Sequence, residues 1–170
     1  MMTRPRNLTR PRTRTATRLL ALAPLLLAAP VAALAQDGPT GECDPVTGRC
    51  VGVAVLNTEA GERFGTVGLQ IGKDGSDPVL FAISPLGVAV QPGLRVVTDG
   101  AGDHDLAIDA CFPDGCRATL ALAGDMAAAV TGAARWSLQF FPFGADKPLS
   151  ADLDPAPLIE ALRAAGATLP

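Results

Sequence analysis

Short apolar runs separated by turn residues follow one another along much of the chain. In several of them apolar and polar side chains alternate, which is the period of a strand with one buried face. The runs that predict strands are 51–55, 66–71, 79–83, 86–90, 94–98, 106–112, 117–122 and 135–141. Turn signals recur about every ten residues and no helices alternate with these strands. The pattern therefore predicts an all-β-dominated fold, either an antiparallel β-sandwich or a partly open barrel.

Two further segments have the pattern of helices. Asp125 is a candidate N-cap for a short helix over residues 126–130, which are rich in Ala. Near the C-terminus Asp154 is a candidate N-cap, Pro155 fits the first helical position, and Gly166 is a stop signal. The apolar stripe between them consists of Leu158, Ile159, Leu162 and Ala165. A helix of about a dozen residues is marginal alone, so we expect it to dock on the sheet.

The first 35 residues have the composition of a secretion signal. Six arginines with no acidic residue precede an apolar run that ends in Ala33-Leu34-Ala35, a small-x-small cleavage signature. The alternative is a membrane anchor, but the run is short for a span and contains Pro24 and Pro30. The pattern predicts a signal peptide over 1–35 and a single domain over 36–170 with its core at about 43–166. The mature protein is expected to be periplasmic or secreted and to lack a membrane span.

Removing this leader changes the charge of the chain. All seventeen acidic residues lie after Ala35, but only eight of the fourteen basic residues do, so the formal charge changes from −3 to −9. A surface this acidic repels nucleic acid and anionic lipid headgroups. We therefore expect no nucleic-acid partner, and the sequence does not define an oligomeric state.

The four cysteines lie in the exported part, where an even number indicates disulfides. We favour Cys43 with Cys50 and Cys111 with Cys116, because each pair flanks a turn. The alternative pairings join the N-terminal segment to the core and close loops of about 70 residues, each contributing about 4 kcal/mol. The spacings C-x6-C and C-x4-C lack the tight knuckle of a zinc site.

The central stretch carries a series of motifs beyond its strand pattern. They are PLGV at 85–88, GL at 93–94, DG at 99–100 and C-x3-GC-x-A at 111–118. This series resembles the invasion-associated locus B family of alphaproteobacterial envelope proteins, and the resemblance extends over about residues 43–166. It implies an association with bacterial entry into host cells, and it brings no catalytic motif to this chain.

Candidate chemistry is sparse. His104, the single histidine, lies in Asp103-His104-Asp105 between turn glycines and a strand, so we expect an exposed, protonated turn residue. No nucleophile motif accompanies it, which predicts a protein that is not an enzyme. Together Asp99, Asp103 and Asp105 offer oxygen ligands for calcium, but their spacing departs from the EF-hand pattern. We predict no cofactor and no metal.

Two segments are candidate interaction surfaces. One is the acidic loop that contains Asp99, Asp103 and Asp105. The other is Phe141 with Phe143, because Phe141 points away from the core if its neighbours on the strand face inward. The favoured alternative for these aromatics is that the C-terminal helix covers them.

These features leave three functional hypotheses. The first is a non-catalytic exported protein that binds a protein partner in the envelope or on a host cell. The second is a structural or stress-related envelope factor without a specific ligand. The third is a metal protein or enzyme that uses His104 and the nearby aspartates.

Cleavage after Ala35 gives a mature chain that begins at Gln36. Intact-mass measurement and N-terminal sequencing of the exported protein should both report this terminus. A full-length chain retained in the inner membrane would contradict the predicted signal peptide.

Overall fold

The computed structural model describes residues 38–170, so the predicted leader falls outside the described residues. The strands are β1 (Thr40–Cys43), β2 (Arg49–Asn57), β3 (Arg63–Gly72), β4 (Val79–Ser84), β5 (Leu94–Thr98), β6 (Gly102–Phe112), β7 (Gly115–Ala121), β8 (Trp136–Phe140) and β9 (Leu149–Leu153). The helices are α1 (Met126–Gly132) and α2 (Ala156–Ala164). In residues 38–170 no helix is long and apolar enough to cross a membrane.

All nine strands belong to one antiparallel sheet in the order β1-β2-β3-β4-β7-β6-β5-β8-β9. The sheet curls into a half-barrel with the core on its inner face. The prediction of an all-β-dominated domain with two helices is thereby confirmed. Of the two architectures that the sequence left open, this single curled sheet matches the partly open barrel.

The core lies between the inner face of the sheet and the helices. Its largest wholly buried side chains are Trp136, Leu69, Ile71, Leu80, Leu94, Leu106, Leu138, Leu158, Leu162, Val67, Val96 and Val130. Trp136 also ties α1 to the sheet, because its indole Nε1–H donates to the carbonyl of Val130 at 3.0 Å. A buried indole needs such an acceptor, since an unpaired N–H in the core is costly.

Helix α2 closes the inner face by packing on β1 and β2. Its buried residues, Leu158, Ile159 and Leu162, belong to the stripe that the sequence predicted. The carboxylate of Asp154 accepts a hydrogen bond from the N–H of Ala156 at 2.9 Å and satisfies one free donor of the first turn. The docking predicted for this helix is confirmed.

Small residues on β1 and β2 determine how closely α2 approaches the sheet. A Cβ at Gly41 would lie 2.5 Å from the carbonyl carbon of Ala161, and one at Gly52 would lie 2.7 Å from Cγ of Leu162. This contact also explains why β2 buries Cys50, Gly52, Ala54 and Leu56 rather than its alternating valines. Apolar character alone favours the valine face, but only the face with small side chains leaves room for the helix.

The predicted strand at 86–90 is wrong. This segment contains a single isolated bridge, between Val88 and Pro142. Leu86 and Val90 are 57% and 58% exposed, and Gly87 adopts φ of +85°, which breaks an extended chain. Consequently β5 does not form a hairpin with this segment and pairs instead with β6 and β8.

Both disulfides link directly opposed residues of neighbouring strands. Cys43 is bonded to Cys50 across β1 and β2, and Cys111 to Cys116 across β6 and β7. This is the local pairing favoured from the sequence, and the long-range alternatives are not formed. The first bond holds edge strand β1, the shortest strand, beside the surface on which α2 docks.

Gly41→Ala tests the close packing of α2. Its Cβ would meet helix backbone, which cannot rotate away, so we expect unfolding stability to fall by about 1–3 kcal/mol. Gly38→Ala is the matched control, because a Cβ there has nothing within 4 Å. Thermal denaturation of both variants measures the difference. Equal melting temperatures would show that α2 does not determine the spacing.

Candidate interaction surface

A cleft of about 230 Å³ opens on the outer side of the sheet, where β5, β6 and β8 lie side by side. We call it the Arg95 cleft. Its lining residues are Pro92, Gly93, Arg95, Asp105, Gln139, Phe140, Phe141 and Pro148. It therefore contains one residue from each of the two candidate surfaces in the sequence analysis, Asp105 of the acidic loop and Phe141 of the aromatic pair.

Strand register brings the polar residues of the cleft together. Arg95 on β5 lies opposite Asp105 on β6 and opposite Gln139 on β8. Because side chains alternate along a strand, these three point to the outer face while their neighbours enter the core. Sequence reasoning did not single out Arg95, because nothing in its local sequence shows which two strands lie beside it.

The guanidinium of Arg95 is held by two carboxylates. Its Nε lies 2.6 Å from Oδ1 of Asp105, its Nη2 3.1 Å from Oδ2 of Asp105, and its Nη1 3.2 Å from Oδ2 of Asp103. The bidentate bond to Asp105 is the main reason that the pKa of Arg95 lies above its ordinary value. All three side chains remain about half exposed or more. Exposed pairs of this kind contribute at most about 1 kcal/mol to stability.

Exposed apolar side chains lie on two segments beside the cleft. Phe143 is 85% exposed, and Leu86 and Val90 are more than half exposed. Their segments are joined because Phe143 N–H donates to the carbonyl of Gly87 at 2.7 Å and Ala89 N–H to that of Phe141 at 2.8 Å. We call Leu86, Val90 and Phe143 the apolar rim. Val90 lines a second depression that shares Pro92, Gly93 and Asp105 with the Arg95 cleft, so the rim adjoins the cleft at Val90.

The favoured prediction that the C-terminal helix covers Phe141 and Phe143 is wrong. Helix α2 packs on β1 and β2, at the end of the strand order opposite to β8. Phe141 is partly buried in the wall of the Arg95 cleft, whereas Phe143 extends into solvent. The small residues Gly41 and Gly52 direct the helix to the other edge.

The predicted acidic loop is divided between a turn and a strand. Asp99 follows β5 and lies 3.7 Å from Nη2 of Arg135, whereas Asp103 and Asp105 belong to β6 and bind Arg95. Among residues 38–170 no three His, Cys, Asp or Glu side chains are grouped so as to hold a metal ion. These carboxylates act in ion pairs rather than as one calcium loop.

The prediction of an exposed, protonated His104 is wrong. His104 lies on β6 in phase with Leu106, is 5% exposed, and places Nε2 2.9 Å from Oγ1 of Thr98. The Thr98 hydroxyl also contacts the carbonyl of Gly102 at 3.1 Å, so its hydrogen goes to that carbonyl and Nε2–H donates to Oγ1. Burial lowers the pKa of His104 below its ordinary value, and the charge of Asp103 partly opposes this.

Comparisons with known proteins agree with this fold. The family model described as invasion associated locus B (IalB) protein matches residues 33–165. The crystal structure of invasion associated protein B from Bartonella henselae has a TM-score of 0.58 and 16% identity, over 74% of this chain and 89% of that chain. At this identity the likeness shows the fold alone. No significant match was found among curated proteins.

The buried imidazole of His104 predicts a pH-dependent stability. Its pKa is about 6.5 in the unfolded chain and lower in the folded one, so unfolding takes up a proton between those two values. The contribution of His104 is complete above pH 6.5 and declines as pH falls below it. Melting temperatures at pH 7.5 and 5.5 should differ more for the native chain than for His104→Gln. An identical difference in both proteins would contradict the buried, neutral imidazole.

Proposed function

The chain belongs to the invasion associated locus B family, and we propose that it is an exported, non-catalytic protein that binds a protein partner in the bacterial envelope or on a host cell. Export is supported by the leader pattern of residues 1–35 and by the disulfides, which persist in oxidising compartments. Family membership supports the envelope or host cell as the place to look for the partner.

The observation that carries this proposal is the apolar rim beside the Arg95 cleft. Phe143 is 85% exposed, although burying a Phe side chain is worth roughly 1.5–3 kcal/mol to a fold. Scattered exposed apolar residues are common, but exposed apolar residues on joined segments beside charged groups are typical of interaction sites. Aromatic side chains combined with Arg are also the typical composition of protein interfaces.

The surroundings of His104 support a role without catalysis. Among residues 38–170 it is the single histidine, and the four cysteines are all in disulfides. The imidazole does lie beside a hydroxyl, that of Thr98, as in a base–nucleophile pair. However, Thr98 is 2% and His104 5% exposed, so both side chains are turned into the core and away from the surface where a substrate would bind. Their hydrogen bond instead satisfies two polar groups in the core.

Site-specific cross-linking tests the proposed partner. A photoreactive phenylalanine analogue at position 143 should give a discrete cross-linked product with an envelope or host-cell protein. The same analogue at Val46, which is 91% exposed in a turn before β2, is the matched control. Phe143→Ser should weaken the captured complex about tenfold without changing the melting temperature, because a hot-spot residue contributes more than about 1 kcal/mol.

Two results would contradict partner binding through the apolar rim. One is the same set of cross-links from positions 143 and 46, which would indicate chance collisions. The other is no product from position 143 in either extract, which would favour a structural envelope factor without a specific ligand.

A further inference from the structure

The charges of the outer face around the Arg95 cleft are unbalanced. The outer side of β5, β6, β8 and β9, the residue before β8 and the turns that join β5 to β6 and β8 to β9 carry three basic groups. Arg95 and Arg135 are each paired with a carboxylate, and Lys147 lies in the turn between β8 and β9. Six carboxylates belong to the same strands and turns, those of Asp99, Asp103, Asp105, Asp109, Asp146 and Asp152. The face therefore has an excess of negative charge, and it lies on a chain whose predicted mature form is itself strongly acidic.

An anionic group does not suit this cleft. The three guanidinium nitrogens of Arg95 each donate to Asp103 or Asp105, so an incoming anion would find only the second hydrogens of Nη1 and Nη2. It would also come to lie next to two carboxylates, and like charges brought together at an interface cost free energy. Recognition of a phosphate or a carboxylate by Arg95 is therefore unfavourable.

A cationic group does suit it. A carboxylate has about four acceptor positions on its two oxygens, and Asp105 uses one bond on each oxygen for Arg95. The side chains of Asp103 and Asp105 are 55% and 65% exposed, so acceptor positions face solvent. A Lys ammonium or a second Arg guanidinium can donate to them through charge-assisted hydrogen bonds.

Apart from Gln139, the rest of the cleft is apolar. Pro92, Pro148 and Phe141 form most of its wall, and Phe143 of the adjoining rim is exposed. The apolar wall is in contact with water in the free protein. Covering it with a large aliphatic or aromatic side chain of a ligand removes apolar surface from water and is therefore favourable. The cleft thus combines an apolar wall with carboxylates at its mouth.

From this combination we infer, resting on the proposed function, that the partner enters the Arg95 cleft with a segment that carries Lys or Arg beside a bulky apolar residue. The apolar side chain packs against Phe141 and the prolines, and the basic side chain binds Asp105 and Asp103. Charge complementarity contributes mainly to selection of the partner and to the rate of association, while the apolar contact contributes mainly to affinity.

A phage-displayed library of random peptides, selected on the purified, oxidised protein, tests this inference. Enriched peptides should contain Lys or Arg within about two positions of Leu, Ile, Phe or Trp, and their binding should weaken as salt is raised, because exposed charges are screened. Asp105→Asn and Phe141→Ala should each reduce the affinity of such peptides about tenfold, the effect of losing one interface anchor. Glu160→Gln, an equal charge change at an exposed position of α2, should leave the affinity within about twofold.

Three outcomes would overturn the inference. They are enrichment of acidic peptides, enrichment of peptides without a basic residue, and basic peptides that bind Asp105→Asn as well as the native chain. The inference is also contradicted if selection on the native protein enriches no peptide beyond those enriched on the Asp105→Asn variant.

If position 143 cross-links a partner that the basic peptides do not displace, partner binding stands and only this assignment of the ligand fails. If position 143 captures no partner, the proposed function itself is contradicted, and this inference is contradicted with it.

Discussion

The packing of α2 against the glycine-bearing part of β1 and β2 is the contact on which the rest of the structure depends. A curled sheet that does not close leaves part of its inner face open to water, and α2 fills that opening with Leu158, Ile159 and Leu162. The approach is possible because Gly41 and Gly52 carry no side chain where the helix lies. A sheet with valines on that face would be more apolar but could not admit the helix at this distance.

The opposite end of the strand order has no such cover over its loop. Helix α2 packs on β1 and β2, and Phe143 in the chain after β8 is 85% exposed. The same helix therefore completes the core at one edge and leaves the apolar rim uncovered near the other. Strand register then adds the charges, since Arg95 faces Asp105 across β5 and β6 by the pairing of the strands alone.

Much of the fold could be predicted from the sequence, because strands and turns are encoded locally. Alternation and turn residues located β2 to β8, and the cap and stripe of α2 indicated both the helix and its docking. Strands β1 and β9 were missed, because their sequences TGEC and LSADL have little apolar signal. Segment 86–90 was wrongly predicted as a strand for the opposite reason, because it is apolar in sequence. In the structure Leu86 and Val90 are exposed, and the segment forms one isolated bridge instead of pairing along a strand.

Pairing between distant residues was the part that the sequence did not reveal. Arg95 becomes a site residue only when β6 and β8 flank β5, and the inner face of β2 is identified only when α2 is in place. For His104 a local signal did exist. It lies two positions before Leu106, so continuing the alternation of β6 backwards places it on the buried face, but the neighbouring aspartates and glycines indicated a turn.

Stability and the proposed recognition of a partner consequently depend on different residues of this small domain. The core that α2 closes supplies the burial that the fold requires, whereas the ion pairs of Arg95 are exposed and contribute at most about 1 kcal/mol. Phe143 contributes little to folding for the same reason, since it is 85% exposed. A surface that contributes so little to the folded state is not required by it. The aromatic, arginine and carboxylate side chains at this one cleft are the residue types that the proposed recognition of a partner would use.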